Sequence, residues 1–169
     1  SRFVPADKYT IKLEGVEQVG YRTITICGTR DPVLISKIDS YLASVREIVK
    51  ERVGNYGIRP DQYKLTIHAY GKDGTMGELE PVRETSSHEL GLVIEAVAET
   101  QEMANAVLAQ ARVQALHTSF EGQLTISGNM AFLYSPSDIE MGPVYRFNVW
   151  HLVEPDSPLE MFPIEIVEV

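Results

Sequence analysis

The chain has 169 residues, of which 44% are hydrophobic and 23% are charged. This length and composition are typical of one folded domain with a real core, and are short for two independent domains. The 24 acidic residues outnumber the 15 basic ones, for a formal net charge of -9, which argues against a nucleic-acid partner because phosphate backbones would be repelled.

The first part of the chain predicts two strands followed by a helix. Polar and apolar residues alternate over 9–16, which indicates a short peripheral strand, and 21–27 is rich in Thr and Ile, which favours a central strand. Asp31 can cap a helix that begins at Pro32. Apolar residues three and four positions apart then predict one helix of about six turns that ends near Gly54.

The second part predicts four further strands and one helix. Residues 63–70 alternate, and 90–97 are apolar at nearly every position, so both segments are expected to be core strands. Thr100 can cap a second long helix whose alanines favour close packing against a sheet. Residues 144–152 predict a last core strand, and 164–167 predict a terminal one.

This order of elements predicts a single α+β domain over residues 1–169. Its core is expected to be a ferredoxin-like βαββαβ unit, with two helices on one face of an antiparallel sheet and extra strands at both ends. A four-layer or barrel arrangement is the alternative, since two such sheets can dimerise face to face. The fold alone does not predict a function.

The single cysteine and the four histidines form no recognised metal-binding spacing, so no metal site is predicted, and the sequence specifies no cofactor. Cys27 is expected to be a small buried hydrophobe rather than a thiolate activated by a helix N-terminus. His88, beside Glu89, is a candidate for acid-base catalysis. A lone cysteine suits a reducing compartment, and without an apolar segment of ~20 residues or a leader we expect a cytoplasmic protein with no membrane partner.

Two segments are candidate ligand sites. In the turn at 28–32, backbone N–H groups at a helix start and the Arg30 guanidinium can hold a carboxylate or phosphate, although a capped turn with Arg30 paired to an acid explains the same residues. The second segment offers an amide, two hydroxyls and a carboxylate around a proline, which suits a polar ligand or equally ordinary turns. Its residues are Asn129, Ser135, Ser137 and Asp138, of which Asp138 is also a catalytic candidate.

Five segments resemble the C-terminal part of bacterial proteins of the acyclic terpene utilisation A family, and the resemblance runs along nearly the whole chain. The segments are 1–15 (SRFVPADKYTIKLEG), 19–32 (VGYRTITICGTRDP), 88–104 (HELGLVIEAVAETQEMA), 128–139 (GNMAFLYSPSDI) and 159–166 (LEMFPIEI). The resemblance implies the C-terminal domain of a longer protein, whose N-terminal α/β region would be its partner.

The resemblance also implies a role in the catabolism of branched acyclic terpenoids such as citronellol and geraniol, at the stage of an acid or a CoA thioester. It carries over no catalytic residues. We therefore expect a ligand-binding or assembly domain for a small acid or acyl-CoA. The alternatives are a self-contained hydratase or lyase that uses His88 or Asp138 on a small acid, and a structural domain that forms a homo-oligomer.

Overall fold

A computed structural model describes residues 2–168, and within them the chain is an α+β protein with five strands and three α-helices. The elements are β1 Ile11–Thr29, α1 Pro32–Ser36, α2 Ile38–Gly54, β2 Tyr63–Tyr70, β3 Leu90–Ala98, α3 Gln101–His117, β4 Ala131–Phe132 and β5 Ile139–Val153. Among the same residues, no helix combines the length and apolar character that crossing a bilayer requires.

The chain divides into two compact units. The core unit comprises residues 19–144, and the terminal unit comprises the described residues of 1–18 and 145–169. Strands β1 and β5 each contribute to both units.

The sheet has the strand order β2-β3-β1-β4, and β5 also pairs with β1. The β1–β3, β2–β3 and β1–β4 pairs are antiparallel. Because side chains alternate along a strand, β1 buries Thr25 and Cys27 and places Ile26 and Gly28, both only half-buried, on the opposite face. The alternation predicted for β2 is confirmed, with Ile67 and Ala69 buried.

One hydrophobic core fills the core unit between the sheet and the helices. The apolar stripe of α2, the inward residues of β3 and the inner face of α3 are fully or almost fully buried. The alanines of α3 are among these buried residues, so the predicted close packing is confirmed: Ala104, Ala111 and Ala115 have no exposed surface.

Both predicted helix starts are confirmed. The Asp31 carboxylate accepts hydrogen bonds from the backbone N–H groups of Val33 at 2.8 Å and Leu34 at 3.2 Å, with Pro32 in the first helical turn. The Thr100 hydroxyl accepts from the N–H of Met103 at 3.2 Å. These side chains satisfy backbone donors that have no partner inside the helix.

The prediction of one continuous helix from Pro32 is wrong, because the helix is interrupted at Lys37, whose φ is -113° and ψ 14°. Serine hydroxyls bond main-chain oxygens on both sides of the break, Ser36 to Val33 at 2.8 Å and Ser40 to Lys37 at 2.9 Å. Such bonds bend helices because a hydroxyl competes with the backbone N–H for its acceptor.

The two strands predicted at 9–16 and 21–27 form the single strand β1, so the prediction of separate strands is wrong. Gly20 allows the chain to continue between them. Its φ is 149°, and a Cβ there would lie 2.4 Å from the carbonyl oxygen of Ala98, so only glycine permits this close approach.

The chain after residue 144 differs from the prediction in two ways. Residues 144–152 do form a strand, β5, but its aromatic residues are exposed rather than part of the core, with Trp150 at 77% and Phe147 at 69%. The terminal strand predicted at 164–167 is absent, and these residues are exposed coil. Alternation reports which residues share a face, but not whether anything covers that face.

Candidate functional site

A depression of about 620 Å³ lies at one end of the sheet in the core unit; we call it the trough. It is formed by the last residues of β1 with the turn after it, the first residues of β3 and the segment that leads into β4. The lining residues are Ile26, Cys27, Gly28, Thr29, Arg30, Asp31, Glu89, Leu90, Gly91, Thr125, Gly128, Asn129, Met130, Ala131 and Leu133.

Two glycines that face each other across neighbouring strands leave room for the trough. Gly28 of β1 pairs directly with Gly91 of β3, and both belong to the face of the sheet opposite the buried side chains of Cys27 and Leu90. A Cβ on Gly91 would meet only the Cβ of Tyr70, at 3.9 Å, so the space above this residue is open. The depression therefore exists because glycine has no side chain at these two positions, and it is not caused by a gap in the packing of the core.

Most of the trough surface is apolar. Ile26, Met130 and Leu133 supply larger hydrophobic side chains, and Ala131 stands opposite Gly28 in the short pairing of β1 with β4. An apolar depression with a few polar groups at its edge is the usual form of a site for a small organic ligand.

Arg30 and Glu89 are the charged pair at the edge of the trough. The Arg30 Nε lies 3.6 Å from a Glu89 carboxylate oxygen, and both side chains are more than half exposed. Exposed ion pairs of this kind contribute little to the stability of the fold, because solvent screens the charges and ordering two long side chains costs entropy. The turn is therefore capped by Asp31, and Arg30 is paired with an acid, as the interpretation without a ligand predicted. The Arg30 guanidinium nevertheless remains accessible to an anion.

Asn129 also lines the trough, but hydrogen bonds occupy its side chain. Its Nδ2 donates to the Tyr41 hydroxyl at 2.9 Å and to the Thr118 carbonyl at 2.7 Å, and its Oδ1 accepts from Gln123 at 3.0 Å. Burial raises the pKa of Tyr41 above its usual value, against a smaller lowering by the bond from Asn129. Asn129 therefore fixes the wall of the trough, and its amide is already engaged.

The other members of the second predicted segment do not line the trough. Asp138 forms an ion pair with Arg112 of α3 at 2.8 Å and accepts a hydrogen bond from the Ser137 hydroxyl at 3.2 Å. The Ser137 carbonyl accepts from buried Thr25 at 2.9 Å. These contacts anchor the chain before β5 against β1 and α3, while Ser135 is exposed.

A polar stripe on α3 completes this anchor. Gln101 and Asn105 bond the buried Thr23 hydroxyl, and the Asn105 amide donates to Glu140 at 2.6 Å. The candidate acid-base residue His88 is exposed and lies beside the trough residue Glu89 in the chain.

Sequence reasoning located Arg30 and Asn129 but missed the residues that shape the trough. Gly91 was the available signal, since an isolated glycine inside an apolar strand often marks a close approach by a ligand or another backbone. Met130 and Leu133 carried no such signal, because an apolar residue in an irregular segment belongs as readily to a core as to a site.

Within residues 2–168, no three His, Cys, Asp or Glu side chains gather closely enough to hold a metal ion. No family model, curated protein or solved structure matches this chain. The structure alone therefore describes the kind of protein: an α+β domain with an apolar depression at the end of its sheet and an accessible guanidinium at the rim.

The predicted burial of Cys27 is confirmed, since only 2% of the residue is exposed, and burial raises the pKa of its thiol to about 12. We expect native protein at about pH 8 to resist iodoacetamide, because the reactive thiolate is then only ~0.01% of the total. Mass spectrometry should find the adduct in denaturant and not in the native chain. Rapid alkylation of native protein would contradict an inert thiol.

Proposed function

We propose that this chain is a ligand-binding domain of a larger cytoplasmic protein of the acyclic terpene utilisation A family. Its ligand is an acyclic terpenoid acid or the corresponding CoA thioester, whose branched chain the domain binds. The domain has a ferredoxin-like core and presents the ligand to the N-terminal region of the same protein, which carries most of the catalysis.

The apolar trough is the single observation that carries this proposal. Its volume of about 620 Å³ lies within the ~300–1,000 Å³ typical of small-molecule sites. The paired glycines Gly28 and Gly91 leave space for methyl branches, and Ile26 and Leu133 offer apolar contacts along the chain of the ligand. Burial of each methylene group contributes about 0.8 kcal/mol, so an apolar chain alone supplies useful affinity.

The rim supports an acidic head group. Arg30 lies at the trough edge with only a loose, solvent-screened partner in Glu89, and a guanidinium can bind a carboxylate through two parallel hydrogen bonds. The amide of Asn129 and the carboxylate of Asp31 already form hydrogen bonds within the protein, so we expect Arg30 to bind the carboxylate of the ligand.

Calorimetric titration with geranic acid tests the proposal directly. We expect saturable binding, with weaker binding of an unbranched fatty acid of equal chain length, because the branches fill the space above the glycines. Absence of binding by geranic acid and by its CoA thioester would reject the trough as the ligand site.

The Arg30→Ala variant is expected to bind geranic acid about tenfold more weakly, since a hydrogen-bonded charge pair is lost. Geraniol, which has no carboxylate, should bind the variant and the parent chain equally. Arg59→Ala is the matched control, because Arg59 is also an exposed arginine paired with an acid, Asp61 at 3.2 Å, and lies outside the trough. Unchanged affinity for the acid in Arg30→Ala would remove this turn from the site.

A further inference from the structure

The terminal unit has no core of its own. None of its described residues is buried, and every buried hydrophobic residue belongs to the core unit. Its exposed hydrophobic residues include six aromatics: Phe3, Tyr9, Tyr145, Phe147, Trp150 and Phe162. Scattered apolar residues are normal on a protein surface, but aromatic side chains concentrated on one unit without a core indicate an interaction site.

The regular part of the terminal unit is a two-stranded ribbon. Strand β5 pairs with β1, and residue 15 of β1 lies beside Asn148 and Val149 of β5. An Arg146–Glu17 ion pair at 2.5 Å and Lys12, 5.3 Å from the centre of the Trp150 ring, also join the strands. An isolated two-stranded ribbon is at best marginally stable in water, so contacts along the free edges and faces of this one would stabilise it.

The two edges of the ribbon differ in charge. Over residues 11–18, β1 carries Lys12, Glu14 and Glu17, and charged side chains along an edge discourage pairing with another strand. Over residues 145–153, β5 carries one formally charged residue, Arg146, and Glu17 already pairs with it. Within residues 2–168, β1 is the only strand that pairs with β5, so the edge of β5 lacks both a neighbour and the usual protection.

Three of the exposed aromatic residues, Tyr145, Phe147 and Trp150, lie on β5 itself. At about 200 Å² for each side chain, these three expose on the order of 400 Å². This is about half of the ~800 Å² that each partner contributes to an interface of standard size.

We propose that β5 pairs with the β5 strand of a second copy of this chain, as an antiparallel, two-fold symmetric edge interface over residues 145–153. A second copy supplies what this edge lacks, namely an equally long, unprotected strand. In an antiparallel pair about a two-fold axis each contact is repeated by its symmetry mate, so one self-complementary sequence is enough. With Arg146 neutralised by Glu17, the two strands meet without strong repulsion between like charges.

The chain of residues 1–169 is therefore expected to be a dimer in light scattering at micromolar concentration. Leu152→Lys should shift it to monomer, because the change adds a charge to an exposed apolar position of β5 on both copies. Leu79→Lys, in a loop of the core unit, is the control: Leu79 is 79% exposed and Leu152 62%, so both variants should keep the melting temperature of the core. A monomeric parent chain, or equal effects of the two variants, would overturn the proposal.

The register can be tested with single cysteines. Phe147→Cys, Val149→Cys and His151→Cys place thiols along one face of β5, and opposed residues of antiparallel strands lie within the ~4.4–6.8 Å between Cα atoms that a disulfide spans. We expect one of the three to form an intermolecular disulfide under mild oxidation much faster than the other two. Buried Cys27 should not compete. Equal or absent crosslinking at these positions would exclude a fixed two-fold pairing centred on any of the three residues, whatever the outcome of the ligand titrations.

Discussion

Asn129→Ala is expected to lower the free energy of unfolding by about 2 to 3 kcal/mol, because three side-chain hydrogen bonds are lost in a partly buried network. The Thr118 carbonyl would lose its bond from the Asn129 amide, and the wall of the trough would lose its link to Tyr41 of α2. Chemical denaturation followed by circular dichroism measures the change.

Two further variants separate this network from a simple loss of side-chain volume. Asn129→Asp should be at least as destabilising as Asn129→Ala, since a carboxylate oxygen would replace the Nδ2 donor in front of the Thr118 carbonyl. Asn55→Ala, at an exposed helix end, should change stability by less than ~0.5 kcal/mol. Stability of Asn129→Ala equal to that of the Asn55 control would contradict an anchoring role.

Gly91→Ala is expected to weaken binding of geranic acid about tenfold or more while it stabilises the fold. The new methyl group would stand in the open space of the trough, where it displaces part of the ligand, and one methyl-sized misfit in an apolar pocket costs roughly 1–3 kcal/mol. Stability should rise by about 0.4–1 kcal/mol, because alanine has less conformational freedom than glycine in the unfolded chain. Gly91→Val should extend the effect on binding to about a hundredfold.

Gly54→Ala is the matched control for Gly91→Ala. A Cβ at Gly54 would meet nothing within 4 Å, and the residue lies at the end of α2, outside the trough. We expect a comparable gain in melting temperature with unchanged affinity. If both variants bind geranic acid as the parent chain does, then the ligand does not occupy the space above Gly91.

Local signals predicted the elements of the core unit well. The caps at Asp31 and Thr100, the alternation in β2 and the apolar run of β3 all depend on a few neighbouring residues, and each is found in the structure. The break at Lys37 was missed because the apolar stripe continues across it, whereas the serine hydroxyls that bend the chain are common in unbroken helices as well.

The candidate site was only partly predictable. Arg30 was recognisable because a basic residue at a strand-to-helix turn can bind an anion, and Arg30 does line the trough. Ser137 and Asp138 look like ligand-binding residues in the sequence, yet they hold the chain to Thr25 and Arg112. Whether a polar side chain is free for a ligand depends on partners distant in sequence.

The sequence by itself determined the α+β class, the helix caps and the buried faces of β2, α2 and α3, because these follow from contacts between near neighbours and from periodicity. Only the tertiary structure decided that Gly28 stands opposite Gly91, that two predicted strands are one, and that β5 is exposed. These features depend on strand register and on what covers each face. Both are set by residues far apart in the chain, which no local pattern records.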